Sequence, residues 1–315
     1  MVPKTKKIWL DGKFVDWDAA QVHVLSHTLH YGVGVFEGIR CYKTKGGGSA
    51  IFRLKEHVDR LFASAHIVLL TIPFSPEKIC DAIRRTVTVN GLSEGYIRPV
   101  VLIGDGEMGL FAKSNPIRVA VAAWSWGAYL GEEGIRKGIR AKVSSFCRYH
   151  VNSAMTKGKI NGYYVNSVLA KWEAKKAGYD EAVLLDTEGY VAEASGENIF
   201  IVRNGILQTS TLTSILPGIT RDSVLNIARK LDIPVKEARF TRDEMYIADE
   251  VFFTGTAAEV TPIRSVDGLE VGSGVRGPLT EALQSAFFGL FSGETEDRHG
   301  WLESLDTGYS KPVAV

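Results

Sequence analysis

The sequence predicts an α+β protein of two domains. The chain has 315 residues, too long for one ordinary core and suited to two domains of about 150 residues each. Segments with strand patterns and segments with helix patterns occur together in both halves. A glycine-rich, charged stretch lies between the halves and is the candidate interdomain connection. We therefore expect a first domain at 1–126, the connection at 127–138 and a second domain at 139–315.

The first half opens with a predicted hairpin, in which the strand segments KIWL and KFVDW flank Asp11-Gly12, a pair that tolerates a tight turn. SAIFRL predicts a further strand, and the apolar spacing of KEHVDRLFASAHIVLL predicts a helix. The next helix has Ser75 as its candidate N-cap, Pro76 at its first position and Gly91 just past its end. GYIRPVVLIG and IRVAVAAWSW predict strands, the second apolar enough to be buried on both faces.

The second half repeats these patterns. IRAKVSSF predicts a strand, and YYVNSVLAKWEAKKAG predicts an amphipathic helix that ends at its glycine. Hairpins are expected around Glu188-Gly189 and Asn204-Gly205. Helices are expected at about 220–231 and 278–291, on either side of a strand EVFFTGT and a hairpin TPIRSVDGLEV. Both halves therefore predict mixed α and β structure.

Composition excludes several classes of protein. The 37 basic side chains nearly balance the 36 acidic ones, which argues against nucleic acid as the main partner. Cys41, Cys80 and Cys147 are scattered and form no C-x-x-C pair, so neither a disulfide framework nor a metal site is expected. The basic N-terminus is not followed by an apolar signal segment, and no apolar run approaches the length of a membrane span. A cytoplasmic protein without a membrane segment fits these features.

Common nucleotide and hydrolase motifs are absent or out of context. GSGVRG at 272–277 matches G-x-G-x-x-G and precedes a helix, but the chain ends too soon for the strand-helix-strand unit of a dinucleotide site. No P-loop, H-E-x-x-H or G-x-S-x-G pattern occurs. These classes of enzyme are therefore not indicated.

Two lysines lie close together in MTKGKINGYYVNS, namely Lys157 and Lys159. Most lysines are solvated surface charges, so the ordinary interpretation of each is structural. A lysine near the end of a glycine-containing segment can instead serve as a nucleophile toward a carbonyl group. Spacing alone leaves both candidates open.

Four other features are ambiguous when taken one at a time. Glu193 ends an apolar strand, where a carboxylate requires a buried cationic partner. LPGITRDSV has Thr220 placed to cap a helix, and such a helix start binds anions, although most are ordinary helix starts. The small residues at 255–258 allow backbone to approach a ligand or form a tight turn. Arg60 is either a helix-surface charge or a phosphate ligand.

Together these features suit pyridoxal phosphate. This cofactor needs a lysine for its Schiff base, an acid that keeps its ring nitrogen protonated, and N–H groups with a cation for its phosphate. The sequence offers each of these groups.

Six segments closely resemble the bacterial and archaeal branched-chain amino acid aminotransferases, which are fold-type IV pyridoxal phosphate enzymes. The segments are HVLSHTLHYGVGVFEGIRCY, YIRPVVLIGDGEMG, WGAYLG, EASGENIF, LPGITRDSV and DEVFFTGTAAEVTPIRSVDG. The likeness runs from about Ile8 to Leu305. It implies a small α/β N-terminal domain and a larger pseudo-barrel C-terminal domain that carries the cofactor lysine.

The resemblance also implies cofactor roles for individual residues. The family's lysine typically stands in K-x-x-G-x-Y, and Lys159 places Gly162 and Tyr164 correctly, whereas Lys157 does not. Lys159 is thus the expected cofactor lysine and proton carrier, Tyr164 is expected at the cofactor's O3′, and Glu193 at its pyridine nitrogen. The phosphate is expected at Arg60, the backbone of Ile219 and Thr220, and Thr256.

Substrate residues follow from the same resemblance. An apolar side-chain pocket is expected from Tyr31, Phe36, Leu110, Trp126 and Tyr164. Backbone N–H groups of Thr256 and Ala257 would bind the α-carboxylate. The distal carboxylate of glutamate is expected at Tyr96, Arg98, Tyr31 and Tyr129, although a surface pair remains the alternative for Tyr96 and Arg98.

The expected reaction is ping-pong transamination between leucine, isoleucine or valine and 2-oxoglutarate, with amino acids and 2-oxo acids as the small-molecule partners. In relatives, the loop from Met108 to Leu110 closes the site of the neighbouring subunit, which implies a homodimer or a larger homo-oligomer. D-amino acid aminotransferases, (R)-amine aminotransferases and aminodeoxychorismate lyase share the cofactor apparatus, so they stay open as alternatives. A non-catalytic binding protein is disfavoured, because both the lysine and the acid are present.

Overall fold

The computed structural model describes residues 2–127 and 129–305. The described chain divides into two compact units. The first comprises residues 2–127, 158–162 and 291–305, and the second comprises residues 129–157 and 163–290. The short segment that contains Lys159 thus packs with the first unit. The predicted boundaries after residues 126 and 138 remain a prediction.

The first unit contains an antiparallel eight-stranded sheet with strand order β17-β5-β4-β6-β7-β1-β2, and β3 pairs with β6 beside β4. Its strands are β1 (Lys7–Leu10), β2 (Lys13–Asp16), β3 (Gly34–Phe36), β4 (Ile39–Lys43), β5 (Ser49–Phe52), β6 (Gly95–Ile103), β7 (Ile117–Trp124) and β17 (Leu302–Ser304). Its helices are α1 (His27–Tyr31), α2 (Leu54–Ile67) and α3 (Pro76–Val89), with a 3-10 turn at Trp17–Ala19. The buried faces of α2 and α3 pack on this sheet.

The second unit contains a nine-stranded mixed sheet with strand order β10-β9-β8-β15-β14-β11-β12-β13, and β16 pairs with β15. Its strands are β8 (Ile139–Val143), β9 (Glu181–Leu185), β10 (Val191–Ala194), β11 (Asn198–Arg203), β12 (Ile206–Thr209), β13 (Val235–Glu237), β14 (Glu250–Gly255), β15 (Glu259–Val266) and β16 (Leu269–Glu270). Its helices are α4 (Glu132–Lys137), α5 (Tyr164–Lys176), α6 (Ile219–Lys230), α7 (Arg242–Tyr246) and α8 (Pro278–Ser292). The last two residues of α8 belong to the first unit. A 3-10 turn, Asn161–Tyr163, precedes α5.

Local turn chemistry explains the elements that the sequence predicted best. Asp11 and Gly12 both have positive φ, 47° and 95°, as the predicted tight hairpin turn requires. Asn204 and Gly205 repeat this geometry at 51° and 74°. Ser75 caps α3, since its side chain accepts a hydrogen bond from the Lys78 N–H. These three predictions are confirmed.

The predicted cap of α6 is wrong. Thr220 does not cap α6, because the helix already begins at Ile219 and its N-cap residue is Gly218. A cap at Thr220 would require the extended backbone that Gly218 adopts at φ −70° and ψ 133°. Within the expected connection at 127–138, helix α4 spans Glu132–Lys137, and the role of this stretch as the interdomain connection stays a prediction. None of the described helices is long and apolar enough to cross a membrane.

Candidate active site

The segment carrying Lys159 is docked on strand β3 of the first unit. The Lys159 carbonyl accepts the Phe36 N–H at 3.1 Å, and the Gly162 N–H donates to the Gly32 carbonyl at 2.9 Å. Between them, Ile160 forms an antiparallel bridge with Val35. A Cβ on Gly32, whose φ is 73°, would lie 2.9 Å from the Gly162 Cα. Glycine at this crossing therefore lets the two backbones approach and fixes the position of Lys159.

The amine of Lys159 lies over the ring of Phe36, with Nζ 4.9 Å from the ring centroid. The Lys159 N–H donates to the Ser64 hydroxyl at 3.0 Å, which anchors the backbone to α2. Burial lowers the pKa of Lys159 to about 8, against an opposing effect of the Glu37 carboxylate and with help from Arg60. The lowered pKa gives Lys159 a larger uncharged fraction near neutral pH than an ordinary lysine has, as a nucleophilic or proton-carrying lysine needs.

Lys157 has a different environment, in the second unit. Its Nζ donates to the Ile215 carbonyl at 3.1 Å and also contacts the carbonyl of Leu212. Carbonyl acceptors satisfy and hold this ammonium group. These contacts favour a structural role for Lys157 and agree with the choice of Lys159.

Arg60 is held by a buried carboxylate that the sequence analysis did not identify. Its Nε lies 2.6 Å from Glu37 Oε1, and its Nη2 lies 3.0 Å from Glu37 Oε2. His57 Nδ1 lies 2.7 Å from the same Oε2. Burial would raise the pKa of Glu37, but Arg60 and His57 lower it well below its ordinary value. The Glu37 carboxylate thus fixes Arg60, which was predicted to bind phosphate. Glu37 directly follows Phe36, a predicted site residue, and this position was the signal in the sequence that Glu37 lies near the site.

Four predicted substrate residues lie together in the first unit. The Arg98 guanidinium carbon is 4.8 Å from the Phe36 ring centroid and 5.3 Å from that of Tyr96. Its Nη2 lies 3.3 Å from the Tyr96 hydroxyl. The Tyr96 ring meets Trp126 edge to face at 4.8 Å. Tyr96 is only 5% exposed, so these residues form an aromatic group around the Arg98 guanidinium and not a surface pair.

Tyr31 and Leu110 are not buried within this group. Tyr31 is 39% exposed and packs on the His27 ring at 4.5 Å, and Leu110 is 88% exposed. His27 Nε2 lies 2.8 Å from the Gly109 carbonyl, which ties the loop of residues 108–110 to α1. In the described chain these two apolar side chains face outward.

In the second unit Glu193 has the buried cationic partner that its position demanded. The Nε of Arg148 lies 2.9 Å from Glu193 Oε1, and both residues are buried. Glu193 Oε2 also accepts the Leu216 N–H at 3.1 Å and the Asn198 amide at 3.3 Å. Sequence analysis missed Arg148, although the requirement for a cation near Glu193 was itself the signal.

The same carboxylate organises the start of α6. Asn198 also donates to the Leu216 carbonyl at 3.0 Å, and a Cβ on Gly218 would lie 1.9 Å from Asn198 Oδ1. Glycine is therefore required where the turn enters the helix. Ile219 and Thr220 form the first turn of α6. They precede Asp222, whose N–H donates to the Gly218 carbonyl at 3.0 Å. N–H groups in a first turn are suited to bind an anion.

The remaining predicted residues also lie in the second unit. Thr256 and Ala257 form the turn between β14 and β15 and are partly buried. Tyr164 is the first residue of α5. The Tyr129 ring centroid lies 5.2 Å from Lys171 Nζ, and burial raises the pKa of Tyr129.

Comparison with known proteins decides the family. The family model described as amino-transferase class IV matches residues 34–266. Over 301 residues the chain is 55% identical to a branched-chain-amino-acid aminotransferase of Pseudomonas aeruginosa, covering 96% of this chain and 98% of that protein. The chain belongs to the class IV aminotransferases.

Solved structures of such aminotransferases agree. The branched-chain amino acid aminotransferase of Escherichia coli superposes with a TM-score of 0.94 at 47% identity, covering 96% of this chain and all of that one. The branched-chain amino acid aminotransferase of Thermobaculum terrenum, solved in its PLP-form, gives a TM-score of 0.90 at 33% identity, covering 96% of this chain and 99% of that one. The predictions of an α+β fold of type IV, an aminotransferase, and pyridoxal phosphate as its cofactor are confirmed.

The residues of this aminotransferase fit the cofactor chemically. Lys159 has the lowered pKa of an amine that can condense with an aldehyde. Glu193 keeps a carboxylate in place with an arginine beside it. Arg60 in the first unit is a cation, and the first turn of α6 in the second unit carries N–H groups; a phosphate binds groups of both kinds. The described chain thus contains residues of each chemical type that pyridoxal phosphate requires.

Proposed function

We propose that this aminotransferase transfers amino groups between L-leucine, L-isoleucine or L-valine and 2-oxoglutarate, by a ping-pong mechanism. The observation that carries the proposal is the aromatic group of Phe36, Tyr96 and Trp126 with Arg98 embedded in it, in the same unit as Lys159. Aromatic faces suit aliphatic side chains, and one cation suits a carboxylate. The branched-chain aminotransferases named above support the same substrate class.

Cofactor residues are assigned individually in this proposal. Lys159 carries the cofactor, Glu193 contacts its pyridine nitrogen, and Tyr164 contacts its O3′. The phosphate is held by Arg60, by backbone N–H groups of Ile219 and Thr220, and by Thr256. Hydrogen-bonded ion pairs support the roles of Arg60 and Glu193, since Glu37 holds the Arg60 side chain and Arg148 holds the Glu193 side chain.

Bound pyridoxal phosphate supplies the electron sink that makes the substrate α-carbon acidic. The chain's own contribution is to hold and move the proton. Lys159 Nζ, with its pKa lowered to about 8 by burial, accepts the proton from the substrate Cα in the first half-reaction and returns a proton to the Cα of the product amino acid in the second. The hydrogen bond from the Lys159 N–H to Ser64 keeps the backbone still while the side chain moves.

Dual substrate recognition follows from how Arg98 is held. An exposed cation would cost desolvation when leucine binds, and a wholly apolar surface would leave the glutamate carboxylate unpaired. Arg98 lies between the Phe36 and Tyr96 rings and contacts the Tyr96 hydroxyl, so apolar surface and a donor are presented together. Tyr31 and Tyr129 are assigned to the same carboxylate, and Thr256 and Ala257 to the α-carboxylate.

Quaternary structure is part of the proposal. We assign Tyr31 and Leu110 to the apolar pocket, and both are substantially exposed in one chain. The loop of residues 108–110 is tied to α1 through His27 and is therefore positioned to reach outward. A homodimer or larger homo-oligomer, in a cytoplasmic setting, would let this loop close the neighbour's site.

A half-reaction panel tests the proposal. The holoenzyme is mixed separately with L-leucine, L-isoleucine, L-valine, L-glutamate, D-alanine and (R)-1-phenylethylamine, and the cofactor spectrum is followed. The branched-chain L-amino acids and L-glutamate should convert the cofactor fastest. Faster conversion by D-alanine or the (R)-amine would instead establish the D-amino acid or (R)-amine alternative, and no conversion at all would indicate a binding protein.

A further inference from the structure

A second buried polar network lies in the second unit, apart from Glu193 and Arg148. Lys171 of α5 forms an ion pair with Glu181 of β9, whose side chain is 0% exposed. Glu181 Oε1 also accepts the Ser195 hydroxyl at 2.6 Å and the Ala182 N–H at 2.8 Å. Lys171 Nζ lies 5.2 Å from the Tyr129 ring centroid. The network thus runs from Tyr129 to the turn that follows β10.

Glu197 lies in the same turn as Ser195, two residues further along the chain. The turn is closed by the Ala194 N–H, which donates to the Glu197 carbonyl at 2.7 Å. Glu197 is 6% exposed, and its Oε2 accepts the Gly196 N–H at 3.0 Å. Within residues 2–127 and 129–305 no arginine is paired with Glu197, so its surroundings differ sharply from those of Glu193.

Strand pairing places Glu197 against the turn of residues 256–257. Asn198 pairs with Thr254, so the preceding residue lies beside Gly255. A Cβ on Gly255 would lie 3.3 Å from Glu197 Cγ, closer than an ordinary contact. The side chain of Glu197 therefore packs directly on the backbone that leads into Thr256 and Ala257, the residues assigned to the substrate α-carboxylate.

Charge around Glu197 is unbalanced. Lys171 forms an ion pair with Glu181 and also acts electrostatically on Glu197, while Glu193 is paired with Arg148. Glu259 pairs with Gly255 from β15, on the opposite side of β14 from Glu197. Burial and then Glu181 raise the pKa of Glu197 to about 8, although Lys171 opposes this. Burial without a paired arginine in the described chain and the nearby second acid thus both favour the neutral form of Glu197.

We propose that Glu197 is a positioning residue for substrate carboxylates: as a neutral acid it supports the turn of Thr256 and Ala257, and as a carboxylate it weakens binding there. The inference rests on the proposed function, which assigns that turn to the α-carboxylate. A second negative charge beside this turn repels the bound carboxylate, and the protein interior screens that repulsion less than water does. Substrate carboxylates should therefore bind about tenfold more weakly, equivalent to about 1.4 kcal/mol, once Glu197 loses its proton.

The test measures binding of 4-methylpentanoate, an unreactive aliphatic carboxylate, to the holoenzyme at about pH 6.5 and about pH 9.5. The ratio of dissociation constants should be about tenfold in the parent and about twofold or less in Glu197→Gln, whose amide cannot lose a proton. Glu181→Gln should shift the inflection to lower pH, because it removes the charge that keeps Glu197 protonated. An unchanged ratio in Glu197→Gln would assign the inflection to another group and overturn the proposal.

A readout without substrate separates this inference from the proposed function. The pKa of the Glu197 carboxyl group is about 8 in the folded protein and about 4.5 in the unfolded chain. The parent protein therefore loses folding stability as pH rises through that interval. The melting temperature of Glu197→Gln relative to the parent should therefore increase between pH 5 and 8 and then level off. A constant difference would overturn the neutral state of Glu197. Failure of L-leucine to react in the parent would instead reject the proposed function.

If Glu197→Gln does not fold, infrared spectroscopy of the parent and Glu181→Gln decides. The parent should show the carbonyl band of a buried protonated carboxylic acid at about pH 6.5, lost at about pH 9.5. In Glu181→Gln this band should disappear at lower pH. Its absence from the parent at about pH 6.5 would also overturn the proposal.

Discussion

Arg148 is expected to contribute more to folding stability than any exposed arginine in its unit, and Arg148→Met tests this. Arg148 is 5% exposed. Its Nη1 donates to Asn166 at 3.1 Å and to Ser167 at 3.0 Å, and its Nη2 donates to the Ala194 carbonyl at 2.9 Å. With the ion pair to Glu193, the substitution removes four close donor contacts at once.

The magnitude follows from what the methionine leaves behind. Glu193 would keep its bonds from Asn198 and the Leu216 N–H but would lose the neighbouring positive charge. Removing one partner of a buried ion pair costs about 3–5 kcal/mol, because the remaining charge stays desolvated. Adding Glu193→Gln to Arg148→Met removes that charge and should recover at least about 1 kcal/mol.

Urea unfolding of cofactor-free protein is the appropriate assay, since bound cofactor would add its own stabilisation to the folded state. Arg203→Met is the matched control. Arg203 pairs with Asp249 at 3.0 Å, but the side chains are 50% and 46% exposed. Its loss should cost at most about 1 kcal/mol. If Arg148→Met were no more destabilising than Arg203→Met, the assignment of a buried, stabilised Glu193 carboxylate would be wrong.

Four further outcomes are expected. Borohydride reduction should place the pyridoxyl group on Lys159, and Lys159→Ala, unlike Lys157→Ala, should abolish transamination; a labelled Lys157 peptide would reverse the assignment. Glu193→Gln should slow Cα proton removal from L-leucine at least about tenfold in single turnovers, and an unchanged rate would make Glu193 purely structural. Arg98→Ala should weaken 2-oxoglutarate and L-glutamate by about 1–3 kcal/mol more than L-leucine, whereas equal losses would show a general structural role. Because burial lowers the pKa of Lys159 to about 8, amine labelling of cofactor-free protein should rise around that pH; a rise centred near 10.5 would contradict the buried environment.

Sequence patterns predicted elements whose geometry is decided locally. Asp11-Gly12 and Asn204-Gly205 form hairpin turns because few other residue pairs adopt two successive positive φ angles. Ser75 and Pro76 begin α3 because the cap and the first helical position have narrow requirements. The start of α6 was less local. Whether Gly218 or Thr220 caps it depends on Asn198, whose amide oxygen occupies the space of any side chain at Gly218.

Long-range partners were not predictable from local patterns. Arg148 and Glu193 are 45 positions apart, and Glu37 and Arg60 are 23 apart. Only the demand for a partner could be inferred, from an acid at the end of an apolar strand.

Strand β7 shows a related limit. Its apolar sequence predicted burial on both faces, yet buried and partly buried residues alternate along most of it. An apolar run indicates a strand, and packing decides which face is covered.

Burial alone does not decide what a carboxyl group does in this protein. Glu193 and Glu197 are 7% and 6% exposed and only four positions apart. Glu193 has Arg148 at 2.9 Å, so a permanent cation accompanies its charge. Lys171, which pairs with Glu181, also acts electrostatically on Glu197, whose pKa is raised by burial and by that second acid. One stretch of chain therefore holds two acids in opposite settings, which agrees with the proposed roles of Glu193 at a protonated ring nitrogen and of Glu197 as a neutral acid beside a carboxylate site. The difference arises from the cation beside each acid: Lys171 on α5 for Glu197, and Arg148 in the segment before α5 for Glu193. Exchanging these cationic partners should therefore change the protonation of the two acids more than changing their burial would.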